Sequence, residues 1–279
     1  MIDLHMHSVF SDGTNTPEEL IEKAVGAQLS AVALTDHDTV KGVDRFLRAA
    51  TAQGMQGISG IEVSTSSGAA GAMHLLGYFV NHLDPLFLEQ LEQIRAARQS
   101  RNEEILRNLH KSGMMLSMQE VASFAGDDVI GRPHFAQALV ARGYARNTKE
   151  AFKHFLARGA AAYAPRRTLT AEESLHLIRS AGGLPVLAHP ITLEATPQQL
   201  HELIAELKDR GLAGMEVYHS QHSPARVRDY LKLAQDFDLV PTGGSDYHGA
   251  RSPDIRIGCG FGTLRVPDHT VDRLRERLG

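Results

Sequence analysis

Six apolar stretches of this 279-residue chain each run into a side chain that can bind a cation, and helical stretches separate most of them. The apolar start reaches His5-x-His7, and Ala31-Val-Ala-Leu-Thr-Asp closes on His37. Gln56 to Val63 carries Glu62 near its end, and Leu184-Pro-Val-Leu-Ala closes on His189. Ala213 to Tyr218 closes on His219, and Leu239 to Ser245 on Asp246. Thr16-Pro17-Glu18-Glu19 is a helix start, with a hydroxyl cap, proline in the first turn and acids beside it. That helix runs to about Gln28, and residues 40–53, 171–181, 197–210, 224–238 and 267–278 read as further helices. Apolar strands alternating with helices imply a parallel sheet or barrel. Such barrels present their chemistry at the C-terminal ends of the strands. A further strand, Met73 to Val80, begins near His74 after a small-residue loop from Ser64 to Ala72. Antiparallel pairing with the Glu62 strand would bring His74 close to Glu62.

The rhythm changes at Asp84-Pro85. Leu88, Leu91, Ile94, Ile105 and Leu109 keep helical spacing from Leu86 to His110. Helical pieces follow at Ser117–Phe124, Pro133–Arg142 and Thr148–Ala157, and no strand signal returns before Leu184. Residues 85–165 therefore read as an all-helical insert in a barrel built from 1–84 and 166–279, with Ala164-Pro-Arg-Arg167 as its exit. Charge divides along the same line. Residues 86–167 hold 13 Lys and Arg against 8 Asp and Glu, and the rest of the chain holds 16 against 25. An acidic body suits cations and a basic insert suits an anionic substrate, although solvated helix faces segregate charge in the same way. The net charge of −4 does not suggest bulk nucleic-acid binding. One cysteine, Cys259, excludes an internal disulfide and suggests a reducing compartment. There is no apolar run long enough for a membrane span and no signal-peptide pattern, so a cytoplasmic protein is expected. No obligate protein partner is evident.

Alternate residues of a strand share a face, so His5 and His7 would present two imidazoles side by side. Asp12 sits in a Ser/Asp/Gly turn that can fold back over them. An isolated His-x-His is ordinarily a pair of strand histidines, and any one histidine here could be a satisfied core residue. The convergent set is His5, His7, Asp12, His37, Glu62, His74, His189, Asp246 and His248. Nine such groups exceed the three or four that one catalytic zinc takes. They suit two or three divalent ions, with Glu62 and Asp246 as bridging carboxylates. A set without thiolates suits manganese, iron or zinc without choosing among them.

His5-x-His7, Thr35-Asp36-His37, Gly60-Ile61-Glu62, Ala188-His189-Pro190 and Gly244-Ser245-Asp246-x-His248 resemble the motif series of the PHP (polymerase and histidinol phosphatase) family. The match covers the barrel. Gly131-Arg132-Pro133-His134 in the insert resembles a narrower branch of nucleoside 3′,5′-bisphosphate phosphatases, some of which are also 5′→3′ exoribonucleases. The resemblance implies a distorted (β/α)7 barrel with the helical insert covering a di- or trinuclear centre. By motif, one ion would take His5, His7, Glu62 and Asp246. A second would share Glu62 with His74 and His189, and a third would take Asp12, His37 and His248. Some phosphatase relatives have histidine where this chain has Asp12, which changes the charge of that last position.

The resemblance implies hydrolysis of the 3′-phosphate of a nucleoside 3′,5′-bisphosphate by a metal-bridged hydroxide held by Glu62 and Asp246, in line at phosphorus. Arg132 and His134 are the candidate substrate-binding residues, since arginine grips phosphate bidentately and Pro133 starts a helix. A local cap or salt bridge is the plainer role for Arg132. Arg166 and Arg167 are weaker candidates, and His219 and His222 match no motif. The alternatives are a 5′→3′ exoribonuclease acting on short 5′-phosphorylated RNA, a histidinol phosphatase, a carbon–nitrogen hydrolase and a non-enzymatic metal-binding accessory domain. A carbon–nitrogen hydrolase of this kind often has a metal-bridging lysine, and no lysine closes a strand here.

Overall fold

Seven strands pair in chain order in the computed structural model, which describes residues 1–66, 72–125, 130–165 and 168–278. They are β1 (Ile2–Asp3), β2 (Ala31–Leu34), β3 (Gln56–Thr65), β4 (Met73–Tyr78), β5 (Leu184–Leu187), β6 (Gly214–His219) and β7 (Val240–Gly244). Every pairing is parallel except those of β4, which runs antiparallel to both β3 and β5. A parallel return needs a crossover of a dozen or more residues, which the short stretch between Thr65 and Met73 cannot supply. Of the loop expected at Ser64–Ala72, Ser64 and Thr65 belong to β3, and 67–71 lie outside the described residues.

The ring closes beyond the named strands. Leu4 N donates to Gly243 O at 3.2 Å, Asp246 N to His5 O at 2.9 Å and His7 N to Tyr247 O at 2.9 Å. The result is the α/β barrel with an inserted helical stretch that the sequence predicts. Two strands are shorter than expected. β1 stops at Asp3, so His5 and His7 lie in an extended segment that pairs with the chain just after β7. β2 stops at Leu34, before Asp36 and His37.

Among the described residues the α-helices are α1 (Pro17–Gly26), α2 (Val43–Ala52), α3 (Pro85–Lys111), α4 (Met118–Ala122), α5 (Arg132–Ala141), α6 (Thr148–Ala151), α7 (Ala171–Ser180), α8 (Pro197–Asp209), α9 (Pro224–Asp236) and α10 (Thr270–Glu276). The helix expected over Thr148–Ala157 is α6 followed by a π-helical turn at Phe152–Leu156. α1 begins as its sequence dictates. Glu19 N donates to Thr16 Oγ1 at 3.3 Å and Thr16 N to Glu19 Oε2 at 2.8 Å, a reciprocal cap with Pro17 in the first turn. No described helix is long and apolar enough to cross a membrane.

The chain divides into two compact units, Met1–Gln90 with Thr168–Gly279, and Leu91–Arg167. The barrel unit buries one face of its strands at period two: Ile2 and Leu4, Ala31 and Ala33, Leu76 and Tyr78, Val186 and Ala188 all enter one apolar cluster. The other unit has its own core, in which Ile105, Leu109, Val121, Phe135, Leu139 and Leu156 are buried.

Candidate metal centre

His5, His7, Asp12, His37, Glu62, His74, His189, Asp246 and His248 come together at the C-terminal rim of the barrel strands, and they organise around Glu62. Glu62 is buried near the end of β3. Its Oε1 lies 2.7 Å from His74 Nδ1 and 2.8 Å from His189 Nε2. Its Oε2 lies 3.4 Å from His5 Nε2, 3.3 Å from His7 Nε2 and 3.1 Å from His37 Nδ1. The carboxylate thus divides five imidazoles between its two oxygens. His74 reaches it across the β3–β4 ladder, where Leu76 is paired with Glu62 and His74 stands two residues away. The antiparallel pairing read from the sequence is the reason they meet.

Asp246 provides a second carboxylate. Its Oδ1 lies 3.5 Å from His5 Nε2, 3.2 Å from His7 Nε2 and 3.6 Å from His248 Nδ1. The backbone there is left-handed, with φ of 56°, a region that aspartate enters more readily than most residues. Asp12 completes the set. Its Oδ1 is 3.2 Å from His248 Nε2 and 3.6 Å from His7 Nδ1, and its Oδ2 is 3.8 Å from His37 Nε2. Among the described residues, four groups of donor atoms could each hold an ion: His7, Asp12, His37 and His248; His5, Glu62 and His189; His5, His7 and Asp246; and His37, Glu62 and His74. The grouping differs from the division that family resemblance implies: His189 groups with His5, and His74 with His37. His7 also reaches the Asp12 group, and His37 stands between Glu62 and Asp12.

Buried residues outside the predicted set hold these side chains in place. His5 Nδ1 is 3.0 Å from Glu216 Oε1, and Glu216 Oε2 accepts the His189 amide at 2.7 Å. Asp36 accepts from Ser8 N at 2.8 Å, Ser8 Oγ at 2.6 Å and Ser11 Oγ at 2.5 Å, which fixes the turn that carries Asp12. Asp3 accepts from Ser245 N at 2.8 Å, beside Asp246, and from Gly258 N at 2.7 Å. A side chain at Gly244 would run into the backbone nitrogen and Cβ of His5, so only glycine lets β7 approach this closely. His219, which matches no motif, lies 3.5 Å from Asp246 Oδ2 through Nε2, and its Nδ1 accepts from Gln221 N at 3.2 Å. His222 donates Nδ1–H to Val217 O at 2.9 Å and packs against His219 and Tyr230.

The hydrogen bonds indicate what belongs between these groups. The outer nitrogen of His248 is 2.9 Å from the Asp246 carbonyl, and that of His189 is 3.0 Å from Thr192 Oγ1. With those protons on the outer nitrogens, as at His5, the inner nitrogens turn lone pairs toward carboxylate oxygens. His7 Nε2, His37 Nδ1 and His74 Nδ1 are buried and make no hydrogen bond, although Glu62 oxygens stand within 3.3 Å. Lone pairs and anions facing each other in a buried site require protons or cations between them. A hard-to-borderline divalent ion fits this nitrogen and oxygen donor set.

In the absence of ions, protons take that place. Burial alone would raise Glu62, but His37, His74 and His5 hold it well below the usual carboxylate range. Asp246 and Asp12 are held down against burial in the same way, chiefly by His5 and by His37 with His248. Burial works against the His248 cation, yet Asp12 and Asp246 raise it to about 9. His37 goes the other way, pushed by burial to about 4.

In the second unit, Gly131 precedes the first turn of α5, and the Gly131 amide donates to His134 Nδ1 at 3.0 Å. His134 is buried, so one of its two nitrogens caps the helix. Arg132 Nη1 is 3.5 Å from Leu156 O. Arg166 and Arg167 lie outside the described residues.

The PHP domain profile matches residues 3–164. A 5′-3′ exoribonuclease of Haemophilus influenzae is 32% identical over 246 residues, which cover 88% of this chain and 89% of that protein. A 3′,5′-nucleoside bisphosphate phosphatase of Chromobacterium violaceum is 30% identical over 248 residues, 88% of this chain and 87% of the relative. A solved structure of an amidohydrolase from Chromobacterium violaceum with bound sulfate superposes with a TM-score of 0.82 at 28% identity, covering 98% of this chain and 96% of that one.

Proposed function

The chain belongs to the PHP domain family as a metal-dependent phosphoesterase, and on that basis we propose that it hydrolyses the 3′-phosphate of nucleoside 3′,5′-bisphosphates. The observation that carries the reading is Glu62, one buried carboxylate whose two oxygens are each faced by a separate set of imidazoles. Divalent ions bound there would neutralise charge on the phosphoryl oxygens and activate water for in-line attack. Manganese is our proposed ion, and His5, His7, Asp12, His37, Glu62, His74, His189, Asp246 and His248 are its proposed ligands.

The chain's own residues then have separate tasks. Glu62 and Asp246 supply the negative charge that balances the ions and hold the attacking water in place. Glu216 and Thr192 orient His5 and His189, and the Asp246 carbonyl orients His248. His219 accepts the Gln221 amide on Nδ1, which places its proton on Nε2, toward Asp246 Oδ2. Arg132 and His134 remain the candidates for holding a substrate phosphate, Arg132 through charge-assisted hydrogen bonds.

A second reading, 5′→3′ exoribonuclease action at the same centre, is favoured by the Haemophilus influenzae relative. A carbon–nitrogen hydrolase is less well supported, because none of the described barrel strands closes on lysine. The deciding experiment is phosphate release from adenosine 3′,5′-bisphosphate, adenosine 5′-monophosphate, histidinol phosphate and short 5′-phosphorylated RNA, for the wild type and Arg132→Ala. The proposal expects the bisphosphate to be the best substrate, with KM raised or kcat depressed in the variant and manganese content unchanged. Preference for RNA would select the second reading, and inertness toward all four in manganese would sink both.

Ion uptake should be proton-linked. His248 keeps its proton up to about pH 9 without metal, and a ligand must lose its proton to bind. Affinity should therefore rise with pH toward about 9, and at pH 7 loading should release at least one proton per protein. Calorimetric titration of manganese in buffers of different ionisation enthalpy measures this. No proton release at pH 7 would remove His248 from the ligand set.

A further inference from the structure

Glu216 lies wholly buried on β6, and each of its two oxygens holds a histidine that faces a different oxygen of Glu62. Its Oε1 takes the Nδ1 side of His5 at 3.0 Å, and the far nitrogen of that ring is 3.4 Å from Glu62 Oε2. Its Oε2 accepts the backbone amide of His189 at 2.7 Å, and His189 Nε2 is 2.8 Å from Glu62 Oε1. The two rings stack at 5.6 Å with an interplanar angle of 23°. The His189 backbone is held at φ 20°, ψ 69°, outside the ordinary wells, so its amide needs a fixed acceptor to stay there.

We infer that Glu216 is a positioning residue for an ion bound at Glu62, because it clamps both histidines, His5 and His189, whose donor atoms group with that carboxylate. The inference rests on the phosphoesterase reading only in requiring that ions bind at Glu62. It adds a requirement that no ligand residue meets alone. A carboxylate can accept from both donors at once, whereas a glutamine must turn its amide NH2 toward either His5 Nδ1–H or the His189 amide, donor against donor. Glu216→Gln therefore keeps the volume and loses one arm of the clamp.

Manganese titration of the full-length wild type and Glu216→Gln, followed by competition with a chromogenic chelator and by electron paramagnetic resonance, tests this. Loss of such a supporting hydrogen bond typically weakens metal binding ~10–100-fold. The variant should bind manganese weaker by that factor than the wild type, with an altered manganese spectrum. Wild-type affinity and an unchanged manganese spectrum in the variant would reduce Glu216 to a packing residue. If the wild type takes up neither manganese nor zinc, the metal-centre reading fails and the clamp with it. Should Glu216→Gln not fold by circular dichroism, the wild type decides. In the zinc-loaded, histidine-15N-labelled protein the His5 ring must carry its proton on Nδ1, and a proton on Nε2 overturns the inference.

Discussion

Replacing Glu62 by glutamine is expected to lower kcat by at least ~10³-fold, about 4 kcal/mol of barrier, and to strip the protein of most of its manganese. The magnitude reflects how many groups depend on one carboxylate. His74 and His189 face one of its oxygens at 2.7 and 2.8 Å, and His5, His7 and His37 face the other at 3.1 to 3.4 Å. Glutamine keeps the shape, removes the charge and replaces one acceptor oxygen by an NH2 group, so one imidazole set meets a donor. Removing one partner of a buried ionic cluster is costly because the remaining groups have no solvent to turn to. The test is kcat and metal content measured together, with circular dichroism as the control for fold. Near-normal turnover with full manganese content would exclude Glu62 as the shared ligand.

Much of this centre is readable in the sequence because its parts obey local rules. His5 and His7 keep the alternation of an extended chain even though β1 ends at Asp3, since hydrogen bonds to the segment after β7 hold the chain extended. His37, Glu62, His189 and Asp246 stand at or just beyond the C-terminal ends of apolar runs, where an α/β barrel carries its chemistry. The residues that hold these side chains obey no such rule. Glu216 and His219 stand three positions apart on β6, an odd separation that alternation assigns to opposite faces. A bulge between Glu216 and Tyr218 shifts the phase, so that Glu216 meets His5 while His219 meets Asp246. Asp36 reads as one more acid beside a histidine, and only the fold of the Ser8–Ser11 turn gives it three donors. His134 reads as a phosphate ligand from its motif, and the structure shows it also serving as the acceptor for the Gly131 amide at the start of α5. The candidate metal-binding positions are periodic, whereas the contacts that hold them depend on bulges, turns and helix caps that involve distant chain segments.

Asp246→Asn should be the cleanest loss of function that leaves the barrel standing. Asp246 sits at φ 56°, and asparagine is among the few residues that accept this conformation readily. The backbone that brings Asp246 N to His5 O at 2.9 Å is therefore kept. The chemistry is not kept, because the carboxylate Oδ1 faces His5, His7 and His248 at 3.2 to 3.6 Å while Oδ2 faces the Nε2 of His219 at 3.5 Å. An amide that keeps its oxygen toward His5 and His7 points NH2 at the His219 proton, and the flipped amide points NH2 at the inward nitrogens of His5 and His7. Either orientation also discards the negative charge that the surrounding imidazoles hold ionised. The expected result is a fall in kcat of ~10²–10³-fold, about 3 to 4 kcal/mol, with weakened manganese binding and a metal-free melting temperature close to wild type. Asp246→Ala makes the comparison informative, because alanine also pays the left-handed penalty of roughly 1–2 kcal/mol. Its metal-free melt should fall below that of Asp246→Asn while its activity is equally poor. Equal melting of the two variants would show that the strained backbone is of no consequence, and wild-type turnover by Asp246→Asn would remove this carboxylate from the centre.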